Sequence, residues 1–165
     1  MKLALLILRK NYYRLLGPVV EEALRRGHDV ECWHDWSGPR RGGKSSEFPD
    51  VAPAFRAGAP RVVGYQGPAD LAERWRRDPP DAAVSIDPPD PTLRAATKAW
   101  WLWLQYAADF LFHAKRPGVA AADTVALYSE YWRTRVATRW PGSGFGDGRS
   151  SGRLLDVLEW EGGPR

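Results

Sequence analysis

The run Leu3 to Leu8 (LALLIL) limits what this chain can fold into more than any other stretch. A strand with one wet face alternates polar and apolar residues, whereas an unbroken apolar run of strand length is covered on both faces, as in a parallel sheet sandwiched between helices. Leu15, Leu16, Val19, Val20, Ala23 and Leu24 follow with helical spacing, Gly27 stops that stripe, and Val30 to Trp33 is apolar again. Strand, helix and strand over Leu3 to Asp35 make a right-handed βαβ unit. The expected fold class is therefore α/β: a Rossmann-like three-layer α/β/α domain with a mainly parallel sheet of about six to seven strands.

The rest of the chain repeats the alternation that such a sheet requires. Pro18 is tolerable only in the first turn of a helix, which places the start of the first regular helix near Gly17 and its end at Arg26. Gly27 is then the C-cap, and Arg25 and Arg26 complement the helix dipole. A short helical piece is expected over Asp50 to Ala57, a third strand over Arg61 to Tyr65, a helix over Pro68 to Arg77 and a fourth strand over Ala82 to Asp87. The run Asp87 to Pro91 (DPPDP) forces an extended exit. Trp100 to Tyr106 and Thr124 to Tyr128 are further strands, and Glu130 to Arg139 a helix. Two stretches rich in Gly, Ser and Arg, 36–49 and 141–152, read as flexible loops, and a last apolar segment spans Leu154 to Trp160.

At 165 residues the chain fits one domain, 1–165, large enough to bury roughly two thirds of its unfolded surface. Its net charge of +4 comes from basic residues interleaved with acids. That scatter does not make a nucleic-acid footprint, and no nucleic-acid partner is expected. Cys32 is the single cysteine, which excludes an intramolecular disulfide and a cysteine zinc site, and it reads as a small buried hydrophobe. The first apolar run ends at Arg9 and Lys10, too short for a signal peptide, and nothing approaches the ~20 apolar residues of a spanning helix. The expected location is cytoplasmic, with peripheral membrane contact left open.

Several stretches carry chemistry on paper. Gly38 to Ser45 satisfies G-x-x-x-x-G-K-[ST], in which Lys44 would reach the outer phosphates of a nucleotide, and Asp87 would position magnesium. Pro49 would fall in the second turn of the helix that this loop needs. The first βα turn, Arg9 to Tyr13, contains no glycine, which disfavours a dinucleotide. Of the histidines, His28 is placed to satisfy carbonyls at a helix end, and His34 ends the second strand beside Asp35. Asp109 and His113, four residues apart, could share a helix face and act as a general base. Trp100, Trp101 and Trp103 should alternate across a strand, most of them in the core. Ser129 and Glu130 follow a predicted strand at the end of the sheet where ligands bind.

The segments LALLILR, LGPVVEEALRRGHDVE, DAAVSID, WLQYAADF and ADTVALYSEYWR, in this order, resemble the N-terminal domain of GT-B glycosyltransferases, nearest to the CDP-glycerol glycerophosphotransferase and UDP-GlcNAc 2-epimerase-like groups. That resemblance implies an acceptor-binding half, with a nucleotide-activated donor held by a second domain or subunit and no cofactor or metal in this chain. The acceptor would be a small molecule or lipid-linked. By position, its contacts would come from Lys10, Asn11 and Tyr12 after the first strand, Asp87 after the fourth, Gln105 and Asp109 after the fifth, and Ser129 and Glu130 after the sixth. The histidine that many members place after the first strand is missing. Two other readings stand beside this one: a nucleotide triphosphatase using Lys44, and a non-catalytic α/β interaction module.

Overall fold

The computed structural model describes residues 1–37, 52–104 and 122–126, together with Asp156 and Glu159. These contain β1 (Lys2–Ile7), a 3-10 turn (Lys10–Tyr12), α1 (Tyr13–Arg25), β2 (Asp29–Asp35), β3 (Arg61–Tyr65), α2 (Gly67–Arg77), β4 (Ala82–Ser85), α3 (Pro91–Ala96), β5 (Trp100–Leu104) and β6 (Thr124–Ala126). All six strands run parallel in the order β3-β2-β1-β4-β5-β6. The chain lays down three strands outward from β1, returns to the middle, and lays down three more on the other side, the winding of a Rossmann-like sheet. The fold class expected from the apolar runs is the one observed.

Alternate residues of β1 serve two cores. Leu3, Leu5 and Ile7 pack with Leu16, Val19, Val20 and Ala23 of α1. Ala4 and Leu6 face the opposite layer, with Leu71, Ala72 and Trp75 of α2 and Leu93 of α3. Because both faces of β1 are apolar, inside–outside alternation cannot fix its register. Polar contacts at the amino edge do so instead. The Lys2 amide donates to Asp81 Oδ2 at 2.6 Å, the Asp81 amide to the Lys2 carbonyl at 3.0 Å, and the Asp29 amide to the Met1 carbonyl at 3.0 Å. Glu31 of β2, fully buried, accepts from Trp33 Nε1 at 2.8 Å and pairs with Lys2 at 3.5 Å and with Arg61 of β3. A one-residue slip would strand that carboxylate among hydrocarbon, at a cost of several kcal/mol.

Three expectations need correction. Helix α1 begins at Tyr13 rather than near Gly17 and contains Pro18 as its sixth residue. The proline removes one backbone hydrogen bond, and Gly17 before it has no Cβ to clash with the pyrrolidine ring, which is why the helix passes through. Residues 52–57 form no helix. Phe55 and Gly58 instead make an isolated bridge, held by Glu21 accepting from the amides of Arg56 and Ala57 at 2.9 and 2.8 Å. The proline run leaves β4 extended as expected, Asp90 itself having φ −68° and ψ 127°, but it ends in a helix that was not expected: Asp90 caps α3, its Oδ1 accepting from the Thr92 amide at 2.8 Å. An Asp followed by Pro at the first helical position was the available signal.

Other expectations hold. Gly27 (φ 78°) ends α1, its amide bonded to the Leu24 carbonyl and that of His28 to the Ala23 carbonyl, a Schellman motif. Trp101 and Trp103 are fully buried and Trp100 partly so. The expected Glu130 to Arg139 helix, the loop at 141–152, most of the loop at 36–49 and most of Leu154 to Trp160 lie outside the described residues. No helix among the described residues is long and apolar enough to cross a membrane.

At the outer edge of the sheet the indole of Trp36 lies flat on Gly64 of β3, where a Cβ would penetrate the ring, and the Trp36 amide continues the ladder to the Tyr65 carbonyl at 2.8 Å. Gly64→Ala is expected to lower stability by about 1–3 kcal/mol through this overlap. In a Trp36→Ala background the same change should be neutral or stabilising, because alanine is favoured over glycine in a strand. Urea unfolding of the four chains measures the reversal of sign.

Candidate functional site

Open α/β sheets hold ligands beyond the carboxyl ends of their strands, where the strand order reverses. Here the reversal lies between β1 and β4. The segment leaving β1 turns through Arg9 into the 3-10 turn, closed by the Tyr12 amide bonding to the Arg9 carbonyl at 2.9 Å. The segment leaving β4 carries Ile86 and Asp87. Tyr12 bridges the two: its hydroxyl donates to Asp87 Oδ2 at 2.7 Å, while its ring is buried in the α1-side core.

Asp87 is held from below by β5. Trp103 Nε1 donates to the Ile86 carbonyl at 2.9 Å, and Trp101 Nε1 to Ser85 Oγ at 2.8 Å. Both indoles thus combine apolar bulk with one N–H aimed at the end of β4, where a buried indole must find an acceptor. The carboxylate is half-buried, and its Oδ1 receives no hydrogen bond from the described residues. That oxygen can accept from a ligand hydroxyl while Tyr12 keeps the group in place.

The neighbouring Tyr13 reaches the other way. Its hydroxyl lies 2.6 Å from Nε2 of His34 on β2, with the rings edge-on at 5.7 Å, and its ring also touches Phe55. His34 and Cys32 are both fully buried. Burial pushes the Cys32 thiol up to about 11, tempered by a hydrogen bond with Tyr13, and burial, with Cys32 beside it, pushes the Tyr13 phenol well above its ordinary value. Adjacent residues of a strand face opposite ways, so Asp35 does not join this group: its Oδ1 accepts from the Ser37 amide at 2.9 Å. The Tyr13–His34 contact is a tether between α1 and β2, closed to solvent at the imidazole.

Of the residues singled out in the sequence, Lys10, Asn11, Tyr12 and Asp87 come together at the reversal, with Lys10 and Asn11 exposed on the turn. Gln105, Asp109, His113, Ser129 and Glu130 lie outside the described residues, as does Lys44 with its phosphate-loop match. The imidazole of His28 does not cap the helix as expected. The Schellman amides already satisfy those carbonyls, and the ring lies 2.8 Å from Glu159 Oε1 instead. Among the described residues no cluster of His, Cys, Asp and Glu could hold a metal ion. Trp103, expected only to fill the core, also anchors the end of β4 through its indole N–H.

A buried thiol that resists ionisation gives a testable pH dependence. The unfolded chain ionises Cys32 near its ordinary value of 9.0, the folded chain only near about 11. Folded protein therefore holds the proton more tightly, and stability present below about pH 9 should fall as pH rises toward 11. Cys32→Ala should flatten that decline in urea titrations, and the native thiol should ignore Ellman's reagent at pH 8 until the chain unfolds. The chain matches no protein-family model and no curated protein, and its functional reading rests on the geometry of this crevice.

Proposed function

We propose that the chain is the acceptor-binding half of a GT-B-type glycosyltransferase or glycerophosphotransferase, inactive in transfer without a donor-binding domain. The observation that carries this reading is the Tyr12–Asp87 hydrogen bond across the reversal of strand order, 2.7 Å long and set beside a turn without glycine. A dinucleotide would need glycine there, so that the backbone could approach a pyrophosphate. A hydroxylated acceptor needs a fixed carboxylate and side-chain donors, which Asp87, Lys10 and Asn11 supply.

In this reading the free oxygen of Asp87 accepts the hydrogen bond of the acceptor hydroxyl, and Tyr12 holds the carboxylate so that its orientation does not have to be selected at each encounter. Lys10 and Asn11 donate to neighbouring oxygens of the acceptor. The activated donor arrives on a second domain or subunit, and closure of the two would exclude water from the reacting hydroxyl.

Ligand-detected NMR with a panel of polyols and saccharides tests the proposal. At least one member should bind with perturbation of the Tyr12 and Asp87 resonances, Asp87→Asn should abolish that binding, and Tyr12→Phe should weaken it about tenfold through loss of one hydrogen bond to a charged group. The isolated chain should transfer nothing from nucleotide-activated donors. Turnover of a nucleotide sugar by the chain alone would overturn the proposal.

A further inference from the structure

Strand β4 pairs with β1 as far as Val84 and with β5 as far as Ser85. Asp87 lies beyond both ends of the ladder, so the peptide that delivers it to the crevice is not held by sheet pairing. A side chain holds it instead: the Ile86 carbonyl, half of the Ile86–Asp87 peptide, accepts from Trp103 Nε1 at 2.9 Å. Trp103 is fully buried and Ile86 only 4% exposed, so water does not compete for that bond.

Three restraints therefore converge on Asp87. On its amino side the indole fixes the plane of the Ile86–Asp87 peptide. On its carboxyl side Pro88 confines the Asp87 backbone to extended conformations. At the tip of the side chain Tyr12 holds Oδ2 at 2.7 Å. The proline does not prevent ψ of Ile86 and φ of Asp87 from turning in opposite senses, a crankshaft rotation that swings the peptide plane and tilts the Cα–Cβ bond carrying the carboxylate. The indole N–H opposes that rotation. Its grip matters because a displacement of about 0.5 Å takes a 2.7 Å O–H···O contact past the range of such bonds. Trp101 is buried to the same extent, but its Nε1 donates to the side chain of Ser85 at 2.8 Å, within the ladder. Of the two indoles, Trp103 grips the backbone that leads to Asp87.

We infer that Trp103 is a positioning residue of the crevice. Through the Ile86 carbonyl it fixes the peptide before Asp87, keeps the carboxylate within reach of Tyr12, and so aims the open oxygen at an acceptor that Trp103 never touches. The inference rests on the acceptor reading for the role of Asp87 and adds the residue that sets the aim of its carboxylate. A binding group locked in this way spends none of the ligand's binding energy on its own ordering.

The ¹³C resonances of Asp87 Cγ and Tyr12 Cζ, recorded without any ligand, test it. Trp103→Phe keeps an aromatic ring and drops the N–H. Replacement of Trp103 by benzothienylalanine keeps the bicyclic shape and puts sulfur in place of the N–H, and it carries the test alone if the phenylalanine variant does not fold. In both, the two resonances should move at least halfway toward those of proteins in which the bond is cut, Tyr12→Phe for the Asp87 carboxyl and Asp87→Asn for the Tyr12 ring. Trp101→Phe should unfold at a lower urea concentration than the parent, as Trp103→Phe does, yet leave both resonances in place. With glycerol and methyl glucoside as probes, a dissociation constant measured for the parent should rise about fivefold or more in the benzothienylalanine variant, the weight of one hydrogen bond. Resonances unmoved in that variant, or moved as far by Trp101→Phe, overturn the inference and leave the acceptor reading as it stands. Resonances that move while no polyol or saccharide binds the parent confirm Trp103 as the group that positions Asp87 and overturn the acceptor reading instead.

Discussion

Strand β1 has no free side. Its backbone is bonded to β2 along one edge and β4 along the other, and Leu3 to Ile7 are buried against helices on both faces. A peptide segment in such a place must satisfy every N–H and C=O within the protein. Only a neighbouring strand on each edge does that, so the chain must turn back across β1 after laying down β3. The crevice is a by-product of this enclosure: the connections leaving β1 and β4 depart toward opposite halves of the sheet, and a gap opens between them.

What the sequence reveals follows from how local each cause is. Apolar runs and helical stripes announce burial, so β1, β2, β3 and α1 could be placed, and β3 matches Arg61 to Tyr65 at both ends. Gly27 was legible because a left-handed C-cap is a single-residue requirement. Helix α1 was placed late because the rule for proline ignores the residue before it, and Gly17 changes the outcome. Helix α3 was missed although Asp90 and Pro91 spell its start. The components of the crevice, Tyr12 and Asp87, could be named from their positions at strand ends, but their bond spans 75 residues and nothing local encodes it. The roles of Trp101 and Trp103 were half legible: apolar bulk predicted burial, while the acceptors of their N–H groups depend on the register of β5 against β4.

The two edges of the sheet divide the polar work. At the amino edge, Lys2, Asp78, Glu31 and Arg61 pair in charge, and Asp81 accepts from the Lys2 backbone amide, so that together they hold register. At the carboxyl edge the polar groups are arranged less economically, with an indole-supported carboxylate, a half-satisfied oxygen and exposed cations. Local rules that hold through the scaffold give way there, as they do in proteins where a binding surface competes with stability.

The consecutive tyrosines at the start of α1 grip strands on opposite sides of β1, Tyr12 reaching Asp87 beyond β4 and Tyr13 reaching His34 on β2. Connections between a strand and its following helix ordinarily tolerate insertion and deletion. Here a single added residue would rotate the helix start by roughly 100°, and both hydroxyls would lose their partners together. The length of the linker from Leu8 to Lys10 is thereby set by two contacts outside it, which turns an ordinarily permissive stretch of an α/β unit into a fixed spacer.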